Sequence, residues 1–274
     1  MSKYSDLPIR IIAAVIGAVI IVGGLLYGAT TYFVVFLGIS ILTLWEYYKI
    51  VGHQESIPLK FLGTLWGAGL VSLSYGALTQ QLPWSALLVL APIGFLIFIL
   101  KLYDRKDTQP FESLALTWLG IIYIALPFSL MHLIAFAPGN YDFQLVLGCL
   151  LLHWAHDVGA YFTGIRFGKT KLFERWSPKK SWEGTVGGSI LAIVVALVGS
   201  QWAHSLIWWQ WLGMALIVIV AGTLGDLVES QFKRSLSLKD SGSSIPGHGG
   251  FMDRFDGLLL STPLVAAYLK WLFG

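Results

Sequence analysis

Residues 208–234 read WWQWLGMALIVIVAGTLGDLVESQFKR, uncharged from Trp208 to Gly225 and then abruptly acidic and basic. An α-helix needs about 20 apolar residues to cross the hydrocarbon core of a bilayer. The apolar part, 208–227, therefore predicts a membrane-spanning helix whose charged end surfaces at the boundary. Working outward, comparable stretches lie near 10–28, 30–48, 60–78, 84–101, 113–135, 143–163, 185–202 and 257–273. The predicted fold class is all-α: a polytopic integral membrane protein of about nine transmembrane helices. Pro92, Pro127 and Pro263 fall inside three of them, which neighbouring helices can accommodate.

Composition agrees. The chain is 56% hydrophobic and 12% charged, against about 25% charged in soluble domains, so a large soluble core is a poor reading. The single cysteine, Cys149, excludes an internal disulfide and reads as packing.

The basic residues orient the chain. With nine segments, 17 of the 18 lysines and arginines fall on one side, leaving only Lys270 on the other. The N-terminus and the loops after even-numbered segments are expected in the cytoplasm and the C-terminus outside. The first segment is read as a retained helix rather than a cleaved signal. No internal repeat stands out. Residues 1–274 are read as one integral membrane domain with two long cytoplasmic loops, near 164–184 and 230–256.

Candidate chemistry gathers in those loops and the helix ends feeding them. If the eighth helix continues past Gly225, then Asp226, Glu229, Ser230 and Lys233 share one face. Charge inside a bilayer costs about 2.5–3.5 kcal/mol or more, so such a face should point into the bundle or toward water. For Glu229 alone, an ordinary surfacing helix end is an equal reading. The loop Lys239-Asp240-Ser241-Gly242-Ser243-Ser244-Ile245-Pro246-Gly247-His248-Gly249-Gly250 has a backbone free to approach a ligand and N–H groups able to cradle phosphate. Asp253 and Asp256 follow three residues apart, and carboxylates with substrate phosphates are the usual Mg²⁺ ligands. His153, His156 and Asp157 interrupt the sixth segment. Zinc is a poor reading there, for want of a third histidine or a nearby cysteine ligand, and a polar seam along a groove is preferred. Arg166, Lys169, Lys171, Arg175, Lys179 and Lys180 can neutralise polyphosphate or anionic headgroups, beyond their value as a topology signal. These residues imply a metal-dependent phosphate site at the membrane boundary.

From Ser230 to Asp256 the chain resembles the phosphatidate cytidylyltransferases (CDP-diacylglycerol synthases). Their pattern is Ser-x-Phe-Lys-Arg, four residues, Lys-Asp, a small-residue stretch, an apolar residue, Pro-x-His-Gly-Gly, an apolar residue, x-Asp-Arg, an apolar residue and Asp, and every fixed position is met. Gly225-Asp226-Leu227, Ser177–Gly184 and Asp157–Tyr161 are similar too. In the N-terminal half, Glu46 is the acidic residue near a helix end to watch.

The resemblance implies an enzyme of phospholipid biosynthesis that joins CTP and phosphatidate into CDP-diacylglycerol and pyrophosphate. It implies Mg²⁺, with a second cation such as K⁺, and Asp226, Asp253 and Asp256 as metal ligands. It places Lys233, Arg234, Lys239 and Arg254 on phosphates, with Asp240 and His248 in the catalytic set. Ser230, Lys179, Lys180, Gly249 and Gly250 are expected to line the bound nucleotide and metal. A bacterial inner membrane is the expected setting from the chain's length and the lack of a transit-like segment, and homodimer formation is a family tendency that no residue here specifies. Bilayer, nucleotide and lipid are the expected partners, and nucleic acid is not. A secondary transporter would place its polar groups near the midplane in repeated broken helices. The CDP-alcohol phosphatidyltransferases carry an Asp-Gly-x-x-Ala-Arg core that is absent here. CTP-dependent lipid kinases are closer in chemistry, and the full signature favours nucleotidyl transfer.

Overall fold

The computed structural model describes residues 7–52, 56–242, 244–245 and 249–274. The described chain is helical almost throughout. α1 (Leu7–Tyr27), α2 (Ala29–Val51) and α3 (Lys60–Leu78) are followed by a 3₁₀ turn (Trp84–Val89) running into α4 (Leu90–Tyr103). α5 (Pro110–Gly120) continues through a π-helical turn (Ile121–Ala125) into α6 (Leu126–Ala135). Then come α7 (Phe143–Phe167), an antiparallel hairpin of β1 (Lys171–Phe173) and β2 (Ser177–Ser181), α8 (Trp182–Gly199), α9 (Trp208–Ser235) and α10 (Met252–Phe273).

Among the described residues, eight helical stretches are long and apolar enough to cross a membrane, counting Trp84–Tyr103 and Pro110–Ala135 as one each. The ninth predicted segment forms α10, which carries Asp253, Arg254, Asp256 and Lys270. α1 exposes Ile11, Ile12, Val15, Ile16, Val19 and Ile20, a surface suited to lipid and not to water. The π-turn ends two residues before Pro127. Proline cannot donate to the carbonyl one turn back and its ring crowds it, and a widened turn relieves both. α8 begins at Trp182, earlier than the apolar run predicts, because the Ser181 side chain accepts from the Gly184 N–H and starts the helix there.

The chain divides into two compact units. One comprises the chain up to His132 together with Asp240–Arg254, and the other Leu133–Lys239 with Phe255–Gly274. In the first, helices are tied by hydrogen bonds among buried polar groups. The Tyr32 hydroxyl meets His132 Nδ1 at 2.9 Å, His132 Nε2 lies 3.1 Å from the Val71 carbonyl, and Tyr48 donates to the Thr117 carbonyl at 2.6 Å. Without water to satisfy such groups, these bonds join α2 to α3, α5 and α6. In the second unit small residues do the joining. A Cβ on Gly159 would stand 2.9 Å from the Gly187 carbonyl oxygen, and one on Gly184 2.9 Å from the Ala160 carbonyl oxygen, so α7 and α8 approach at backbone distance.

Candidate active site

α9 runs on past its apolar part to Ser235. The charged face predicted from spacing therefore exists, and Asp226, Glu229 and Lys233 are one turn apart along it. α10 comes against this face at Gly225. A Cβ there would stand 2.7 Å from the Asp256 carbonyl oxygen and 3.1 Å from Gly257 Cα, and one on Gly257 would stand 3.2 Å from the Gly222 carbonyl oxygen. This near-contact of backbones brings Asp226, Glu229 and Asp256 together, one carboxylate oxygen of each within 4.8 Å of the others. Glu229 is buried, 1% exposed, and the two aspartates are half-buried.

Two lysines lie on the cluster. Lys233 Nζ is 2.6 Å from Glu229 Oε2. Lys180, from β2, pairs with Asp226 Oδ2. The hairpin that delivers Lys180 is itself tied down by Glu183 in the first turn of α8, which accepts from the Lys169 and Thr170 N–H groups at 3.0 and 3.1 Å. Three carboxylates crowd this partly buried place with two ammonium groups, and the mutual repulsion of carboxylates so close is relieved by a cation. Hard oxygen donors in this number suit a divalent cation completed by substrate phosphates. The donor set thus fits Mg²⁺, with Glu229 in a place the sequence left open.

The described part of the glycine-rich loop is organised by two other carboxylates. Glu46, near the end of α2, accepts from Ser241 Oγ at 2.6 Å, Ser244 Oγ at 2.8 Å, and the Phe251 and Met252 N–H groups at 3.1 Å each. Asp253 accepts from the Ser241 N–H at 3.0 Å and the Gly250 N–H at 2.8 Å. Gly249 and Gly250 answer to these groups. Gly249 has φ of +83°, and a Cβ on it would lie 2.6 Å from Asp253 Oδ2. A Cβ on Gly250 would run into Glu46 Oε1 and Ser241 Oγ. Their missing side chains make room for protein carboxylates.

Of the residues singled out from sequence, Asp226, Asp256, Lys180 and Lys233 meet in the cluster. The Asp253 carboxylate is held by the loop of its own unit. Ser230 is half-buried, and Lys179, Lys239, Asp240 and Arg254 are exposed. Arg234 is also exposed and donates to the Leu238 carbonyl at 3.1 Å. His248 lies outside the described residues. His153 bonds Ser261 Oγ and the Cys149 carbonyl at 2.8 Å each, and Asp157 is exposed. Glu46 is the functional candidate that sequence reasoning left without a role; its one signal was an acidic residue in an otherwise apolar helix end.

Fold and site together define a polytopic membrane protein with a carboxylate–lysine centre suited to phosphate esters. The chain matches the Cytidylyltransferase family over residues 8–272 and belongs to it. It is similar to proteins named phosphatidate cytidylyltransferase from three bacteria. The Pseudomonas aeruginosa protein is 33% identical, with 97% of each chain covered. The Staphylococcus saprophyticus protein is 32% identical over 94% of this chain and 97% of its own. The Thermotoga maritima protein is 33% identical over 73% and 74%.

Proposed function

We propose that this membrane cytidylyltransferase moves the cytidylyl group of CTP onto phosphatidate, giving CDP-diacylglycerol and pyrophosphate. The observation that carries the reading is the Asp226–Glu229–Asp256 cluster with Lys180 and Lys233, at the charged end of an apolar helix in a chain of this family.

A phosphatidate oxygen attacks the α-phosphorus of CTP. A new P–O bond forms, the bond from the α-phosphorus to the bridging oxygen breaks, and pyrophosphate leaves with that oxygen and its electron pair. The attacking phosphate is already anionic, so no strong base is needed. The obstacle is electrostatic, because anion approaches anion and charge builds on the leaving group. Lys180 and Lys233 answer part of it, since each can exchange its carboxylate partner for a phosphate oxygen. Asp226, Glu229 and Asp256 would hold Mg²⁺, which when bound neutralises phosphate charge. Lys239 and Arg254 are each exposed and belong to the basic set that marks the side from which nucleotide arrives. The lysine and arginine distribution favours the cytoplasm of a bacterial inner membrane for that side. A lipid substrate accounts for the fold, because it need not leave the bilayer.

The test is incubation of purified protein in detergent with phosphatidate, Mg²⁺ and CTP labelled at the α-phosphorus. The expected result is label in CDP-diacylglycerol, abolished by EDTA and reduced about 100-fold or more in Asp226→Asn. Label entering lipid from the γ-position instead would make the protein a CTP-dependent lipid kinase. No label from either position in a folded sample would reject the reading.

A further inference from the structure

We infer that Glu46 is a positioning residue for this reaction: from α2 it fixes Ser241, Ser244, Phe251 and Met252 and, through Ser241, the carboxylate of Asp253. The inference rests on the reaction proposed above. Glu46 is 4% exposed and sits among Leu44, Trp45, Tyr47 and Tyr48 in an apolar helix. A carboxylate there is costly in a membrane protein unless its oxygens are fully used. Both are used, each by one serine hydroxyl and one backbone N–H from a segment 195 to 206 residues away in sequence.

Two of those N–H groups, at Phe251 and Met252, open α10. Glu46 thus serves as the N-terminal cap of that helix from a distant part of the chain, where a negative charge is favoured. Ser241 joins the two carboxylates. Its hydroxyl donates to Glu46 and its N–H to Asp253, so displacement at Glu46 passes to Asp253 through one residue. Gly250 shows how closely the arrangement is drawn, since any side chain there would occupy the position of Glu46 Oε1. Glu46 is therefore the internal group that holds these residues of the family signature in place, and its role is positional.

The test uses full-length protein in detergent, with three readouts: turnover, melting temperature and amide hydrogen exchange of residues 240–252. In Glu46→Gln the amide nitrogen must face at least one backbone N–H, and one oxygen cannot replace two. The expected result is exchange at 240–252 accelerated about 10-fold or more and kcat lowered about 100-fold, with exchange in α9 unchanged. Glu46→Asp, which keeps the charge on a shorter stem, should recover part of both. If Glu46→Gln does not fold, Ser241→Ala with Ser244→Ala removes two of the four bonds and leaves the charge. Faster exchange with lower kcat is again expected. Unchanged kcat in a folded variant, or a fall in kcat with unchanged exchange, overturns the role. Wild-type protein that labels no lipid would instead sink the reaction itself.

Discussion

Lys101 closes α4 with its side chain fully buried, 2.9 Å from Asp104 Oδ2 and 2.6 Å from Asp107 Oδ2. The hydrogen bond from Lys101 holds the Asp104 carboxyl below its ordinary range, helped by the Lys106 N–H. Burial pushes Asp107 up, yet hydrogen bonds from Lys101, Ser113 and the Gln109 N–H outweigh it and leave Asp107 low as well. Carboxyls whose folded values are depressed stabilise the protein above their unfolded value, near 4, and lose that contribution as pH falls through the folded one. Lys101→Met should therefore cost about 3–5 kcal/mol near neutral pH, where it strands a buried carboxylate. The gap to wild type should narrow below about pH 4, as Asp107 in the variant takes up a proton. Melting curves of both proteins from pH 7 to pH 3 measure it, and a gap constant across that range would show that the pair does not stabilise this turn. The contrast with the α9 cluster is instructive at the same scale. Lys101 satisfies its two carboxylates within seven residues of chain. Asp226, Glu229 and Asp256 outnumber the lysines on them, so the cluster is not closed by its own ion pairs as the Lys101 turn is.

The α9–α10 crossing is set by backbone contact at Gly225 and Gly257, so the spacing of the carboxylates depends on positions that carry no charge. Gly225→Ala would put a methyl group 2.7 Å from the Asp256 carbonyl oxygen, and the helices must part. Overpacking of this kind typically costs about 1–3 kcal/mol. Activity should fall further than stability does, because a displaced carboxylate costs far more than a shifted helix. Turnover and melting temperature measured together check this, and wild-type turnover in Gly225→Ala would show that the crossing does not set the site. Elements of this length were legible in the sequence, since apolar runs of bilayer-spanning length announce themselves. The predicted segments at 30–48 and 60–78 became α2 at Ala29–Val51 and α3 at Lys60–Leu78. The hairpin after α7 was legible only as a shaped loop, because β1 and β2 are short and mostly polar and lack apolar alternation. The site was half legible. Asp226 showed as a charge after an uninterrupted apolar run, and Asp256 through the signature. Glu229 reads the same whether a helix end surfaces or meets a partner, and only the position of α10 decides it. Glu46 was visible as an oddity, but its partners lie in distant sequence that no local pattern connects.

At the scale of the whole chain, the lysines and arginines make a prediction about sidedness that the helix assignments sharpen. α7 has 25 residues, about 37 Å at 1.5 Å per residue, enough to cross the bilayer. Asn140 precedes it and Lys171 follows it, both exposed. These two positions should therefore face opposite compartments, Lys171 with the basic hairpin inside and Asn140 outside. The chain is suited to a direct test, because its one native cysteine, Cys149, is buried and should stay silent toward a membrane-impermeant maleimide. With Lys171→Cys, label should enter in inverted vesicles and not in intact cells; with Asn140→Cys the pattern should reverse. Labelling of both from one side would mean that α7 does not cross, and would undo the count of helices. Each labelled from the opposite side to that expected would leave the fold intact but turn the acidic cluster away from the cytoplasm. Nucleotide could not then reach Lys180 and Asp226 from where it is made, so the sidedness of a single helix bears on the whole proposed reaction.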